Sequence, residues 1–305
     1  MRIGIDWGGT KIEAIALADD GSQLWRERIP TPQGDYEGSL GAAVDLIARL
    51  ERETGQRGTI GVGLPGTIDA RTGIVRNANS TWLNGKPVGR DLCAAFGRDI
   101  RWDNDANCLA LSEATDGAGC GSRVLFAAIL GTGCGGGIAV EGQVHAGSHG
   151  VAGEWGHNPL PWQSADEYPG EPCYCGRRGC LETWVSGPAF EREYARVAGR
   201  PLRAPEIVRR SDEGDSEAAA FIARYEDRLA RGLAHVVNIL DPDVIVLGGG
   251  MSRIARLYRT LPALIRSYVF GGDYTTAVLP AMHGDSSGVR GAAALWPLEG
   301  ASHGA

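Results

Sequence analysis

Apolar positions along the chain fall into two rhythms, one with a period of two and one with a period near 3.6, and they alternate. Residues 2–5 form a short apolar run that stops at Asp6; "WGGTK" then turns the chain into "IEAIALADDG", which alternates and ends in a turn signal. Two strands joined by a glycine-bearing loop are expected there. "SLGAAVDLIARLERETG" has helical spacing and ends at Gly55, a C-cap residue, and "TIGVGLPGTID" follows as a strand running into a Pro-Gly loop. The predicted order is strand, strand, helix, strand. "NANSTWLNGKPVGRDLCAAFG" reads as a loop feeding an amphipathic helix, and "DIRWDNDANCLALSEATDGAG" as a short strand, an acid- and amide-rich turn and another helix.

A second round begins at Val124. "VLFAAILGTGCGGGIAVEGQ" is a buried strand, a glycine-dense loop and a returning strand, repeating the form of "RIGIDWGGTKIEAIALADDG". The pattern predicts a weak internal duplication, two α/β halves on one plan. Further on, "EAAAFIARYEDRLARGLAHVVNIL" is a long amphipathic helix, "DPDVIVLGGGMS" an apolar strand ending in three glycines, and "GVRGAAALWPL" a closing helix. Strands alternating with helices define an α/β chain with parallel elements and helix-covered sheets.

Bulk properties narrow the function. The 305 residues, 43% hydrophobic and 22% charged, suffice for one large or two medium domains with real cores. A formal charge of −7 and a pI near 5.4 oppose attraction to nucleic acid or anionic membrane. The first residues lack the apolar centre of a signal peptide, and no apolar run reaches the roughly 18 residues of a spanning helix. A cytoplasmic protein with small-molecule partners is expected. Of seven cysteines, Cys93, Cys108, Cys120 and Cys134 are scattered and read as small buried or half-buried packing residues; an odd, dispersed set does not make a disulfide framework.

Chemistry concentrates in a few places. Gly8-Gly9-Thr10-Lys11, Gly131-Thr132-Gly133 and Gly248-Gly249-Gly250 each follow an apolar strand, where bare backbone amides cradle phosphate and ligands of α/β sheets gather. A tight hairpin explains either of the first two equally well. None matches a Walker A loop or a dinucleotide-binding fingerprint. In Asp103-Asn104-Asp105-Ala106-Asn107, a carboxylate beside an amide suits a base that orients a hydroxyl for attack on a phosphoryl group, while helix capping accounts for Asp103 or Asn104. Cys173, Cys175 and Cys180 with His157 form a complete tetrahedral set for zinc, closed and therefore structural; a free-thiol or redox pair is the other reading, for which C-x-C is the wrong spacing. Glu154 and Glu182 flank that cluster and are placed to bind sugar hydroxyls. "HGDSSG" mimics a serine nucleophile loop but has no base and orienting acid, and Asp285 and Ser286 read as helix caps.

"IGIDWGGTK", "NDAN", "LGTGCGGG" and "GEWGHNPLP" followed by "CYCGRRGCLETWVSG" resemble the ROK family of bacterial sugar kinases, over residues 3 to about 296. Within it, "NANSTWLNG", "GEWGHNPLPW" and "HGDSSGVRGAA" look most like bacterial fructokinase. The resemblance implies an actin-like ATPase (ribonuclease H-like) fold of two α/β domains with a cleft and a zinc-binding loop. The first domain would span 1–115, completed by a C-terminal helix at about 288–305, and the second 116–287, with its zinc loop at 157–180. It implies ATP, Mg²⁺ and structural Zn²⁺, and a homodimer. Asp6, the Gly8 to Lys11 loop and Gly131 to Gly133 would hold phosphates and Mg²⁺, and Gly248 to Gly250 would lie by the adenosine. Asp105 would be the base. Gly66, Asn79, Asn104, Glu154, His157 and Glu182 would hold the sugar, His157 serving zinc through one ring nitrogen and the sugar through the other. The expected reaction is phosphorylation of free fructose, and mannose, at O6; the alternative is glucose or an N-acetylhexosamine. A sugar-responsive regulator is the remote rival, and a first strand at residue 2 leaves no room for its DNA-binding helices. Zinc loss should then damage sugar binding before ATP binding.

Overall fold

The computed structural model describes residues 1–297 except 70, 71, 79 and 273. Asn79, expected at the sugar, lies outside the described residues. The first half opens with three antiparallel strands, β1 (Arg2–Trp7), β2 (Lys11–Leu17) and β3 (Gln23–Pro30), then α1 (Tyr36–Thr54) and β4 (Thr59–Leu64). A small hairpin, β5 (Thr67–Ile68) and β6 (Val75–Arg76), precedes α2 (Val88–Phe96), β7 (Ile100–Asn104) and α3 (Asp105–Thr115). Sequence reading missed β3, because its run "QLWRERIP" carries alternating charges on an edge strand instead of an apolar signature. Helix α1 starts where the Asp35 side chain accepts from the Gly38 amide and stops at Gly55, in the left-handed conformation as its position required.

The second half carries β8 (Val124–Leu130), β9 (Cys134–Val140) and β10 (Gln143–Val144), then α4 (Glu182–Val185), α5 (Gly187–Ala198), α6 (Ala204–Asp212), α7 (Ser216–Leu240), β11 (Val244–Gly248), α8 (Leu257–Arg266), β12 (Ala277–Pro280) and α9 (Ser287–Ala294). The strand orders are β3-β2-β1-β4-β7 and β10-β9-β8-β11-β12. In each, the first three strands pair antiparallel and the last two add parallel, so the two sheets repeat one plan. Each sheet has its own apolar core, one around Ile3, Trp7, Leu46 and Val62, the other around Phe126, Phe190, Tyr225 and Leu247. No helix among the described residues is long and apolar enough to cross a membrane.

Two helices join the halves. A Cβ on Gly291 of α9 would lie 1.7 Å from the Cys108 carbonyl oxygen of α3, so the two backbones touch. Glycine inside a helix costs about 1 kcal/mol relative to alanine; here it permits the crossing. Helix α9 also lies on the first sheet, where added Cβ atoms at Gly4 and Gly61 would meet the carbonyl oxygens of Val289 and Ala292 at 1.9 and 1.8 Å. The buried Glu113 at the end of α3 accepts from the Ser287 hydroxyl at 2.7 Å and from the Ala118 and Met282 amides at 2.8 and 3.0 Å. Ser286 stands at the N-cap position of α9, as the sequence led one to expect, but its side chain makes no cap bond, and Asp285 pairs with Arg253 at 2.6 Å instead of capping.

Candidate active site

The site assembles where strands of both sheets end. Asp6 stands on β1 with Gly288, at the start of α9, against its carboxylate. Gly8 to Lys11 form the tight β1–β2 turn: the Gly8 amide donates to the Lys11 carbonyl at 2.9 Å, and Thr31 donates its hydroxyl to the Gly8 carbonyl at 2.7 Å. The hairpin reading of that loop is therefore correct as geometry, and Thr10 at its tip is exposed. Gly131 to Gly133 form the matching β8–β9 turn, closed by Gly131 N to Gly133 O at 3.0 Å, with Thr132 exposed. Gly249 has φ +81° and packs its α-carbon where a Cβ would be 2.6 Å from the Leu130 carbonyl, so the Gly248 to Gly250 loop lies directly beside the Gly131 loop.

Asp105 is the first residue of α3. Asn104 caps that helix, its Oδ1 accepting from the Ala106 amide at 2.8 Å while its Nδ2 donates to the Gly66 carbonyl at 2.7 Å. Asp103 accepts from the Asn104 amide and the Asn107 side chain, both at 2.7 Å. Capping and the candidate base thus share one turn, braced by Asn104 and Gly66, and Asp105 itself accepts from the Ala106 amide at 2.8 Å. Burial pushes the Asp105 carboxyl up to about 7, helped by the like charges of Asp6 and Glu154 and opposed by the Ala106 amide. Asp6 is pushed up to about 6, again chiefly by burial and with Glu13 adding to it, while Lys11 and Arg28 pull it down. Two partly desolvated carboxylates, the charge of Asp6 raising Asp105, are a donor set suited to a hard cation such as Mg²⁺, which would lower both values.

Sequence reading missed the charged support behind Asp6. The fully buried Glu13 holds Arg26 and Arg28 at 2.6 Å each and Lys11 at 3.9 Å, fixing three cations beside the first glycine turn. Their signal was the charge alternation of the edge strand that pattern alone did not assign.

The cysteine cluster forms as expected. His157, Cys173, Cys175 and Cys180 place their ligand atoms within 4.8 Å of one another, with Cys173 Sγ 3.6 Å from His157 Nδ1 and Cys175 Sγ 3.5 Å from Cys180 Sγ. Tetrahedral zinc with sulfur bonds of about 2.3 Å needs edges of about 3.8 Å. The four residues could therefore hold such an ion with little movement. Of the scattered cysteines, Cys108 and Cys134 are buried and Cys93 half-buried, but Cys120 is exposed, since its segment is a surface turn after α3.

Two ties extend from the cluster. Glu182 Oε2 accepts from the Cys134 amide at 2.9 Å, at the end of the Gly131 turn. His157 Nε2 lies 3.0 Å from the Tyr174 hydroxyl. Glu154 is raised by burial, with His157 lowering it and Glu182 raising it further. Glu154, His157, Tyr174 and Arg177 line one side of a cavity of about 1260 Å³, and Thr67, Arg76, Asn77 and Ala78 line the other. Asp105 and the glycine turns are not among the residues lining that cavity. They connect to it through the charge coupling of Asp105 and Glu154 and through Glu182.

Two sheets of one plan, bridged by two helices with glycine turns at their facing ends, define the actin-like class of two-domain ATPases. Residues 2–299 match the model described as ROK family, and the chain belongs to the ROK family, as a sugar kinase of that family. It is 39% identical over 301 residues to the N-acetyl-D-glucosamine kinase of Haemophilus influenzae, covering 97% of this chain and 99% of that one. A ROK hexokinase from Thermus thermophilus superposes with a TM-score of 0.83 at 34% identity over 96% of both chains. A ROK glucokinase from Streptomyces griseus, in complex with glucose and AMPPNP, gives 0.82 at 29% identity, covering 96% of this chain and 98% of that one. None of these three is a fructokinase by name, and the fructose expectation is not carried by them.

Proposed function

We propose that the protein transfers the γ-phosphoryl group of ATP to the 6-hydroxyl of a free hexose. The observation that carries this reading is Asp105: a carboxyl at a helix N-terminus, braced by Asn104, with its pKa raised to about 7 beside Asp6. Such a group is poised near neutral pH to take a proton. The hydroxyl O–H bond breaks toward Asp105, O6 bonds to phosphorus, and the bond from phosphorus to the β–γ bridging oxygen breaks, releasing ADP. Amides of the Gly8 to Lys11 and Gly131 to Gly133 turns receive the phosphoryl oxygens, with the Gly248 to Gly250 loop on the nucleoside side. Asp6 would hold Mg²⁺, which would supply charge neutralisation for the phosphates. Glu154, His157 and Glu182 receive the sugar, and Gly66 with Asn104 positions the base. His157, Cys173, Cys175 and Cys180 would hold zinc, which would supply no reaction chemistry and would fix that wall.

Two sugars follow from two observations. N-acetyl-D-glucosamine stands first, because it names the substrate of a relative 39% identical over 97% of this chain. Fructose, with mannose, stands second, on "NANSTWLNG", "GEWGHNPLPW" and "HGDSSGVRGAA". A coupled ADP-release assay across N-acetyl-D-glucosamine, N-acetyl-D-mannosamine, glucose, mannose and fructose separates them by kcat/KM. Turnover of none of the five overturns the kinase reading.

A further inference from the structure

The candidate zinc ligands His157 and Cys173 bracket residues 158–172, a stretch that the ligand set itself does not hold. Its near end belongs to the wall of the large cavity: the Leu160 amide donates to the Gly179 carbonyl at 3.0 Å, and Pro161 lines the cavity with Glu154 and His157. The next residue, Trp162, has φ +49°, in the left-handed region. A bulky side chain in that conformation persists only where its surroundings over-determine it.

The group that over-determines it is Arg231 of α7. Its Nη1 donates to the Pro161 carbonyl at 3.2 Å and to the Trp162 carbonyl at 2.9 Å, so the peptide oxygens on both sides of the strained residue meet one nitrogen. The same guanidinium grips Glu167 as a fork, Nη1 on Oε2 and Nη2 on Oε1, both at 2.8 Å. Arg228, about one turn earlier on α7, donates through Nε to that carboxylate at 2.8 Å, and the Ser164 amide donates to it at 3.0 Å. Glu167, Arg228 and Arg231 are each 5% exposed or less. Burial works against the charge of Glu167, yet the hydrogen bonds from Arg231 and Arg228 hold its carboxyl down to about 2. A planar, two-pronged pair of this kind fixes direction as well as distance.

We propose that Arg231 is a positioning residue for the sugar wall, fixing the backbone of Pro161 and Trp162 through a buried anchor separate from the metal ligands. This rests on the sugar-kinase reading above. One wall then has two supports, the cysteine cluster at His157 and a guanidinium from α7 at Pro161. The polar partners of Arg231 are Pro161, Trp162, Glu167 and Asp227, none of them a residue assigned to the phosphates or to the base. Its loss should therefore fall on the sugar and spare the nucleotide.

The test is Arg231→Met, which keeps the apolar stem and removes the fork. Expected for the preferred sugar of the wild-type enzyme are a KM raised roughly tenfold, a parallel rise in the sugar Kd measured calorimetrically without nucleotide, and kcat, ATP KM and zinc content at wild-type values. Arg231→Lys keeps the buried charge but cannot reach both carbonyls and the carboxylate together, so its sugar KM should lie between the two, raised about threefold. Unchanged sugar KM and Kd in a folded Arg231→Met protein would overturn the positioning role and leave the kinase reading standing. Equal losses in kcat, ATP KM and zinc content would also overturn it, by making Arg231 a support of the fold at large. Should the methionine variant fail to fold, the lysine variant decides, and a wild-type sugar KM there overturns the role. A wild-type enzyme inert toward every sugar would overturn the kinase reading and this one with it.

Discussion

Glu182 Oε2 lies 2.9 Å from the backbone nitrogen of Cys134. The residue two positions beyond the last cysteine of the cluster is thereby tied to the end of the Gly131 to Gly133 turn, and its carboxylate oxygen would be 2.8 Å from a Cβ added at Gly133. One carboxylate ties the cysteine-bearing segment to the second glycine turn. Glu182→Ala should therefore raise the KM for both sugar and ATP, each roughly ten- to a hundredfold, the range for losing a hydrogen bond to a charged group. Glu182→Gln keeps an acceptor for the Cys134 amide, so its ATP KM should stay near the wild-type value. Initial-rate kinetics with each substrate varied in turn would check both variants.

Cys180→Ser opens the clamp that positions this glutamate. The wild-type protein should contain one zinc per chain and the variant close to none by plasma emission. The sequence alone led to the expectation that metal loss harms sugar binding first. The Glu182–Cys134 bond changes that: sugar and ATP KM should rise together in the variant and in chelated wild-type protein. Loss of sugar binding with an intact ATP KM would show that the bond survives without metal.

Asp105→Asn should lower kcat by about 10²- to 10⁴-fold, the usual contribution of a positioned base, with the sugar Kd within about threefold because the carboxamide keeps the shape. In the wild-type protein kcat/KM should rise with pH, with a midpoint near 7, as Asp105 loses its proton. Stability should move the opposite way. The folded state holds this proton more tightly than the unfolded chain, whose Asp titrates near 4. Between those two values stability falls as pH rises, and Asp6, raised to about 6, adds a loss of the same sign. The Asn variant should therefore melt a few degrees above wild type at pH 8 and lose that advantage by pH 4, as read by calorimetry.

Gly291→Ala should destabilise by about 3 kcal/mol or more, because its Cβ would sit 1.7 Å from the Cys108 carbonyl oxygen and neither backbone can yield without separating α3 from α9. Gly288→Ala is the control on the same helix. Its Cβ meets nothing closer than the Asp6 carboxylate at 3.7 Å, so folding should be unaffected or slightly improved. Thermal melts of the two proteins would separate backbone crowding from helix propensity.

How much of this was legible in the chain depends on the range of the interaction. Gly55 and the Asn104 turn could be read because caps act over three or four residues. The repeated sheet plan was visible as two glycine hairpins of similar form. The cysteine set was readable because zinc demands a fixed number and type of ligands. What stayed hidden was settled by partners far along the chain. The Arg26 and Arg28 pair looked like an ordinary charged edge until Glu13 was found buried between them. That Asn104 also spends one of its two amide protons on the carbonyl of Gly66, 38 residues earlier, could not be read from the chain. Asp285 looked like a cap and is paired to Arg253.

The lie of α9 bears on the order in which the chain can fold as it is made. The first sheet exposes the backbone of Gly4 and Gly61 on one face, and the covering atoms are those of Val289 and Ala292. The Trp296 indole then donates to the Ile60 carbonyl at 2.7 Å, and Arg101 lies 4.3 Å from the centre of its ring. These partners leave the ribosome some 180 residues after β7. During synthesis the first half must wait with one face of its sheet open while the second half, whose strands and covering helices are contiguous in sequence, can close around its own core.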